Sequence, residues 1–294
     1  MKINTWTIDE IEFLKKNLPV SGSTYCSIIL NYPKSKIYRM GNILKLKINK
    51  NVKEKYKGKP NIDCNINPDF FYNIKLKEVA YFLGLLWSDG FLNKTKNSYG
   101  VGIAMSKDDV NNIKISLDKI GKWNYFEMKR KKTTWKDQIR FVTNNKRIYD
   151  FLVNNDYDKK SFISADKILL QIPKNLHPYF FRGLIDGDGC FYYKKATHST
   201  MRQLSVASTY NQEWEYLEKL YKKLNVTYTI KRIMRKKSSY SIVRISNKDG
   251  IEKIGNYIYS NYENDRIGFN RKYAKYQLII TSPFTHTKFD KYNK

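Results

Sequence analysis

Cysteine is scarce in this chain of 294 residues. The three present, Cys26, Cys64 and Cys190, stand far apart. That spacing gives no disulfide framework and no zinc knuckle, and it fits a reducing compartment. Histidine is equally thin. His177, His198 and His286 are too scattered to suggest a histidine zinc site. No run approaches about 18 uninterrupted apolar residues, so no transmembrane helix is expected. The opening Met1-Lys2-Ile3-Asn4-Thr5-Trp6 lacks the apolar core of a signal peptide. An intracellular setting is therefore expected: the cytoplasm of a bacterium or phage host, or an organelle. Acids are the last shortage, with 27 Asp and Glu against 55 Lys and Arg, a net charge of +28. A folded chain with that charge repels itself, and the usual compensation is an anionic partner. Nucleic acid is the first candidate. A membrane surface is disfavoured, because no basic amphipathic helix carries a Trp/Phe/Leu face.

What is present divides into three regimes. Residues 1–49 read as a small all-α module. Thr7-Ile8-Asp9-Glu10 has the spacing of a capping box, and Pro19 and Gly22 are expected to end the first helix. A second short helix carries Cys26 to Leu30, and a third runs from Ser35 to Lys47. In the third, Ile37, Met40, Ile43, Leu44 and Leu46 fall near helical spacing, leaving Lys34, Lys36, Arg39 and Asn42 for the other face. Three short helices with a basic, Asn-bearing third one resemble the Myb/helix-turn-helix group, whose third helix enters the major groove. Residues 50–72 read as a basic linker, in which Lys50, Lys53, Lys55, Lys57 and Lys59 are opposed within residues 50–59 only by Glu54. It serves equally as a solvated tether or as a strap along phosphates.

The third regime, residues 73–282, repeats itself. Val79 to Gly90 and His177 to Gly189 are both apolar helical runs with a mid-helix glycine, and both end in a small residue, an Asp and a Gly. The aspartates, Asp89 and Asp188, stand 99 residues apart. Each motif is followed by two strands, a helix, a strongly basic strand, another strand and a helix. The basic strands, starting at Lys129 and Lys231, lie 40 and 43 residues past their aspartates. Each copy thus reads α-β-β-α-β-β-α, and matching offsets of this kind point to a duplicated domain.

A carboxylate at a helix C-terminus faces the negative end of the dipole, so one such Asp is mildly disfavoured there. Gly84 with Ser88, and Gly183 with Gly187, form small-residue faces that let two helices approach closely. Packing those faces together brings Asp89 and Asp188 to one end. Adjacent carboxylates repel unless a divalent cation sits between them. Hard oxygen ligands favour Mg²⁺ over zinc.

Phe82-Leu83-Gly84-Leu85-Leu86-Trp87-Ser88-Asp89-Gly90 and Phe181-Arg182-Gly183-Leu184-Ile185-Asp186-Gly187-Asp188-Gly189 resemble the two signature helices of single-chain LAGLIDADG homing endonucleases. Lys159-Lys160-Ser161-Phe162 and Asn270-Arg271-Lys272-Tyr273 also resemble stretches of that family. The resemblance implies an α+β fold with two pseudo-twofold αββαββα domains, at 73–172 and 173–282, and a tail at 283–294. The antiparallel sheets would form a saddle for double-stranded DNA, beside the helix-turn-helix module. It further implies metal-dependent hydrolysis of both strands of a long DNA site. Asp89 and Asp188 would bind two or three Mg²⁺ ions, with Mn²⁺ or Ca²⁺ as substitutes for binding. Lys160 and Lys272 would assist catalysis, and their neighbours Lys159 and Arg271 are not separated from them by spacing. Outward residues expected on DNA are Lys94, Lys129, Lys131, Arg140, Lys194, Arg202, Lys231 and Arg244. One departure stands out: the earlier acid of the motif is Asp186 in the second copy and Trp87 in the first, which makes the halves chemically unequal. A monomer is expected, since duplication supplies the twofold internally. The same fold and charge also suit an RNA maturase acting on its own intron, or a non-cutting DNA-binding regulator.

Overall fold

The computed structural model describes residues 6–49, 66–95, 98–129, 136–195, 200–235 and 238–282. Most of the expected linker, Lys131 and the tail 283–294 lie outside the described residues. The chain forms two compact units, Met1–Ile62 and Asp63–Lys294. Among the described residues no helix is long and apolar enough to cross a membrane.

In the first unit, α1 (Ile8–Ile29) starts on the expected capping box. The Thr7 amide donates to Glu10 Oε2 at 2.8 Å, and the Glu10 amide donates to Thr7 Oγ1 at 3.2 Å. The helical span breaks at Gly22, whose φ of 78° glycine adopts without steric cost, while Pro19 stays inside the first segment. Helix α2 (Lys34–Ile43) is shorter than the sequence suggests. Leu44 ends it, and Lys45 turns left-handed at φ 53°. Leu14, Leu18, Cys26, Ile37 and Met40 form the core. Ile43, expected in that core, is exposed instead.

The second unit begins before the expected boundary. Within the stretch read as linker, α3 (Asp69–Tyr72) forms and buries Phe71. Helix α4 (Lys77–Asp89) is buried from Glu78 to Trp87, as a helix apolar on all sides should be. It leads into β1 (Gly90–Thr95) and β2 (Ser98–Ser106), then α5 (Val110–Ile120), β3 (Asn124–Met128), β4 (Gln138–Thr143), α6 (Lys146–Asn154) and α7 (Asp166–Gln171). The second half follows with α8 (His177–Asp188), β5 (Gly189–Lys195), β6 (Thr200–Thr209), α9 (Glu215–Lys223), β7 (Thr229–Ile233), β8 (Tyr240–Ile245) and α10 (Lys248–Tyr259). It closes with α11 (Tyr262–Asp265) and α12 (Asn270–Thr281).

Each half thus has a four-stranded antiparallel sheet, in the orders β1-β2-β4-β3 and β5-β6-β8-β7. Strand β3 ends at Met128, before the basic run expected to form it, while β7 holds Lys231 and Arg232 of the second run and ends at Ile233. Residues 130–132, 236 and 237 lie outside the described residues.

Helices α4 and α8 meet backbone to backbone, and the contact is reciprocal. A Cβ at Gly84 would overlap the Phe180 carbonyl oxygen, and one at Gly183 would overlap the Tyr81 carbonyl oxygen. Tyr81 and Phe180 are equivalent positions of the two motifs, so each helix uses the same patch on the other, the mark of a twofold contact. Since the obstruction is main chain, it cannot rotate away. Gly183→Ala should therefore destabilise the protein by about 3 kcal/mol through overpacking. Chemical denaturation checks this, and an unchanged midpoint would show that the helices can separate freely.

Candidate active site at the ends of the paired helices

The close approach carries both helix C-termini to one place. At the last turn, a Cβ on Gly187 would collide with the Ser88 hydroxyl and come within 2.9 Å of Asp89 Oδ2. The Asp89 side chain therefore reaches across to the end of the partner helix. Both carboxyl tips meet solvent at this rim while standing among dense protein. Partial burial raises the Asp188 carboxyl to about 6, and the charge of Asp89 pushes the same way. Burial also raises Asp89, opposed by Lys160, Lys272 and Arg271.

The two lysines occupy matching positions beneath the acids. Lys160 Nζ donates to the carbonyls of Leu86 at 2.8 Å and Ser88 at 2.6 Å. Lys272 Nζ donates to the carbonyls of Ile185 at 3.4 Å and of Gly189. Each lysine thus satisfies C-terminal carbonyls of one motif helix and places positive charge where the dipole is negative. Burial lowers Lys160 to about 8, partly offset by Asp188 and Asp89. Burial likewise lowers Lys272. The neighbours divide differently. Lys159 lies 4.0 Å from Asp156. Arg271 forms a two-pronged pair with Asp109 of the first half, at 2.8 and 3.0 Å.

The unequal motif position has a structural reading. Asp186 is fully buried and accepts bonds from Tyr81 Oη of the opposite helix at 2.8 Å and from the Phe269 amide at 2.9 Å. Burial raises it to about 6 despite those bonds. The left-handed Gly268, at φ 132°, runs so close that a Cβ would sit 2.8 Å from Asp186 Oδ2. Asp186 thereby ties α8 to the segment that carries Lys272. In the first half Trp87 is also buried, packed edge-on against Tyr157 at 5.0 Å. Sequence reasoning missed Tyr81 and Asp109. A phenol hydroxyl inside an otherwise apolar stretch of helix was a usable signal for Tyr81. Asp109 meets a residue 162 positions away and had none.

Strand register sorts the residues expected on DNA. Val101, Ile103 and Phe141 point into the first half's core, and Leu204, Val206 and Val243 into the second's. Arg140, Lys194, Lys231 and Arg244 lie on the opposite, open faces. Arg202 does not. It shares the core-side register of Leu204, is buried, and its Nη2 donates to the Ser282 carbonyl at 3.1 Å. Lys94 pairs with Tyr99 on the core-side register too, exposed only because the strand is ending. Lys129 is exposed just past β3. In the first unit Lys34, Arg39 and Asn42 are exposed, whereas Lys36 Nζ lies 3.3 Å from the Tyr32 ring centroid.

Residues 176–259 match the LAGLIDADG-like domain family. That LAGLIDADG-like segment contains α8 and all of the second sheet. The chain is 27% identical over 139 residues to an uncharacterized cox1 intron-2 protein of Schizosaccharomyces pombe, covering 45% of this chain and 37% of that one. It is 25% identical over 181 residues to an uncharacterized protein of Methanocaldococcus jannaschii, covering 60% and 63%. The matches thus span less than two thirds of these relatives. Among solved structures it is similar to mesophilic variants of the homing endonuclease I-DmoI, with TM-score 0.47, 18% identity and coverage of 68% of this chain and 97% of that one. It is also similar to the homing endonuclease I-WcaI bound to its DNA recognition sequence, with TM-score 0.46, 18% identity and coverage of 78% and 97%.

The raised Asp188 carboxyl makes a stability prediction. Its folded pKa lies above the unfolded value, so its contribution is fully present below about pH 4 and lost as pH rises through about 6. Relative to Asp188→Asn, the metal-free wild type should lose on the order of 1 kcal/mol across that window, a figure discounted for solvent screening. Denaturation of both proteins in chelator at several pH values tests this. A difference independent of pH would mean that Asp188 ionises without cost.

Proposed function

We propose that the chain is a LAGLIDADG-type, site-specific endonuclease that hydrolyses both strands of double-stranded DNA with divalent metal. The observation that carries this reading is the reciprocal placement of Asp89 and Asp188 at the joined ends of α4 and α8. The LAGLIDADG-like match over 176–259 supports it. So does the net charge of +28, which suits a long polyanion and a steep loss of affinity with salt.

The donor set fits a hard divalent cation. Two solvent-reaching carboxylates repel each other and are costly to ionise together, a cost that bound Mg²⁺ would remove. Among the described residues no group of three or more His, Cys, Asp or Glu gathers, which leaves the remaining positions to backbone, water and phosphate oxygen. Bound metal would supply an activated water and charge stabilisation on the leaving oxygen. Asp89 and Asp188 would hold and orient that centre. Lys160 and Lys272, fixed on helix-end carbonyls, carry the donors that polarise water or the scissile phosphate. Two equivalent ends related by an internal twofold match the antiparallel strands of one duplex, so one chain suffices. The open sheet faces, with Arg140, Lys194, Lys231 and Arg244, lie along the DNA. The first unit adds contacts through Lys34, Arg39 and Asn42 on α2, as a helix-turn-helix would.

Asp188→Asn should lower double-strand cutting by more than about a hundredfold while changing DNA affinity little. Cleavage and binding assays on a selected target decide it, and efficient cutting by that variant would falsify the assignment. A chain starting at Asp63 should bind more weakly and with a shallower salt dependence than the full protein. Equal affinity and slope would remove the first unit from DNA recognition.

A further inference from the structure

The open faces of the two sheets, matched in topology, differ in charge among their described strand residues. On the first, Phe91, Ala104, Phe126 and Val142 form an apolar strip. Gly102 shapes it, since a Cβ there would lie 2.6 Å from Phe91 Cζ, and without one the ring lies flat across the strand. Phe126 is 48% exposed. The polar groups beside the strip are uncharged amides and hydroxyls: Asn93, Asn124 and Gln138, with Thr95, Ser98 and Ser106. Among the described strand residues Arg140 is the one charged side chain of this face. Its guanidinium carbon lies 5.3 Å from the Phe91 ring centroid, and its buried Nε has no partner. The second face has a comparable apolar set, Met201, Ala207, Ile233 and Ile242, with the amide of Gln203, and adds three cations, Lys194, Lys231 and Arg244, spread over β5, β7 and β8. The Arg244 Nε is likewise buried without a partner.

Base edges distinguish such surfaces. Apolar side chains contact the thymine methyl, and Asn or Gln pairs with adenine, whereas Arg and Lys pair with guanine O6 and N7. Resting on the DNA-cleaving reading above, we propose that the two halves read their half-sites by different chemistry. The first sheet selects A·T pairs through thymine methyls and adenine edges. The second adds selection of G·C pairs through Lys194, Lys231 and Arg244. Arg140 supplies the one cationic contact among the described strand residues of the first face. The target is therefore compositionally lopsided about its centre, despite the internal twofold of the protein.

Selection of the full-length chain on a randomised duplex library with Ca²⁺ tests this. The expected consensus has one A·T-rich and one G·C-containing half. Arg244→Ala should relax preference only in the G·C-containing half, and Arg140→Ala at no more than about one pair of the other, which orients the protein on its site. Base analogues then read the chemistry without altering the protein. Uracil for thymine throughout the A·T-rich half should weaken binding at least threefold, about the loss of one methyl contact. 7-Deazaguanine in the other half should weaken it about fivefold or more. A tight consensus with guanine demanded equally in both halves, or full affinity for the uracil site, overturns the proposal and leaves the nuclease reading standing. Failure to select any duplex sequence overturns both.

Discussion

Everything in the second unit depends on main-chain contact between two helices. Gly84 and Gly183 let α4 and α8 approach until backbone meets backbone. That approach aligns two equivalent sheets and joins two helix ends. It also creates an electrostatic problem, because Asp89 and Asp188 converge at the negative ends of two dipoles. The chain answers in part with Lys160 and Lys272, each bonded to helix-end carbonyls rather than paired directly with an acid. The acids keep their cost of ionisation, and a site with that cost is ready for a cation.

The twofold holds for backbone and not for chemistry. In the second half a polar brace surrounds the motif helix. Arg182 is fully buried and bonds the Ile258 and Ile267 carbonyls and Asp265, and Asp186 ties down the lead-in to α12. The equivalent first-half residues are Leu83 and Trp87, and there apolar and aromatic packing does the holding, with Tyr157 Oη on the Leu83 carbonyl. The spacing from aspartate to lysine is 71 residues in one half and 84 in the other. The structure accounts for this with a longer α10 and the extra helix α11, and both lysines still reach the same place. The open faces follow the same rule of shared frame and different surface.

Much of this was legible before any coordinates. The duplicated αββαββα order, the capping box at Thr7 and Glu10, and the helix pair with its aspartates followed from local spacing and from the glycines. What failed was what spacing does not determine. Arg202 looked outward because it is cationic, but its register puts it on the core side. Lys129 looked like a strand because it follows the pattern of a basic repeat, yet β3 ends one residue earlier. Ile43 fitted helical periodicity and is exposed, since α2 stops there and the stripe ends with it. The Arg271–Asp109 clamp and the Tyr81–Asp186 bond join distant segments, so only the fold reveals them.

The central claim is that two acids on one helix pair make a divalent-metal site at the middle of a DNA-binding surface. Anomalous diffraction from crystals of the full chain with a selected DNA duplex and Mn²⁺ addresses it most directly. The account predicts manganese peaks within about 2.0–2.6 Å of carboxylate oxygens of both Asp89 and Asp188. Peaks elsewhere, with the two acids instead paired to Lys160 and Lys272, would contradict it.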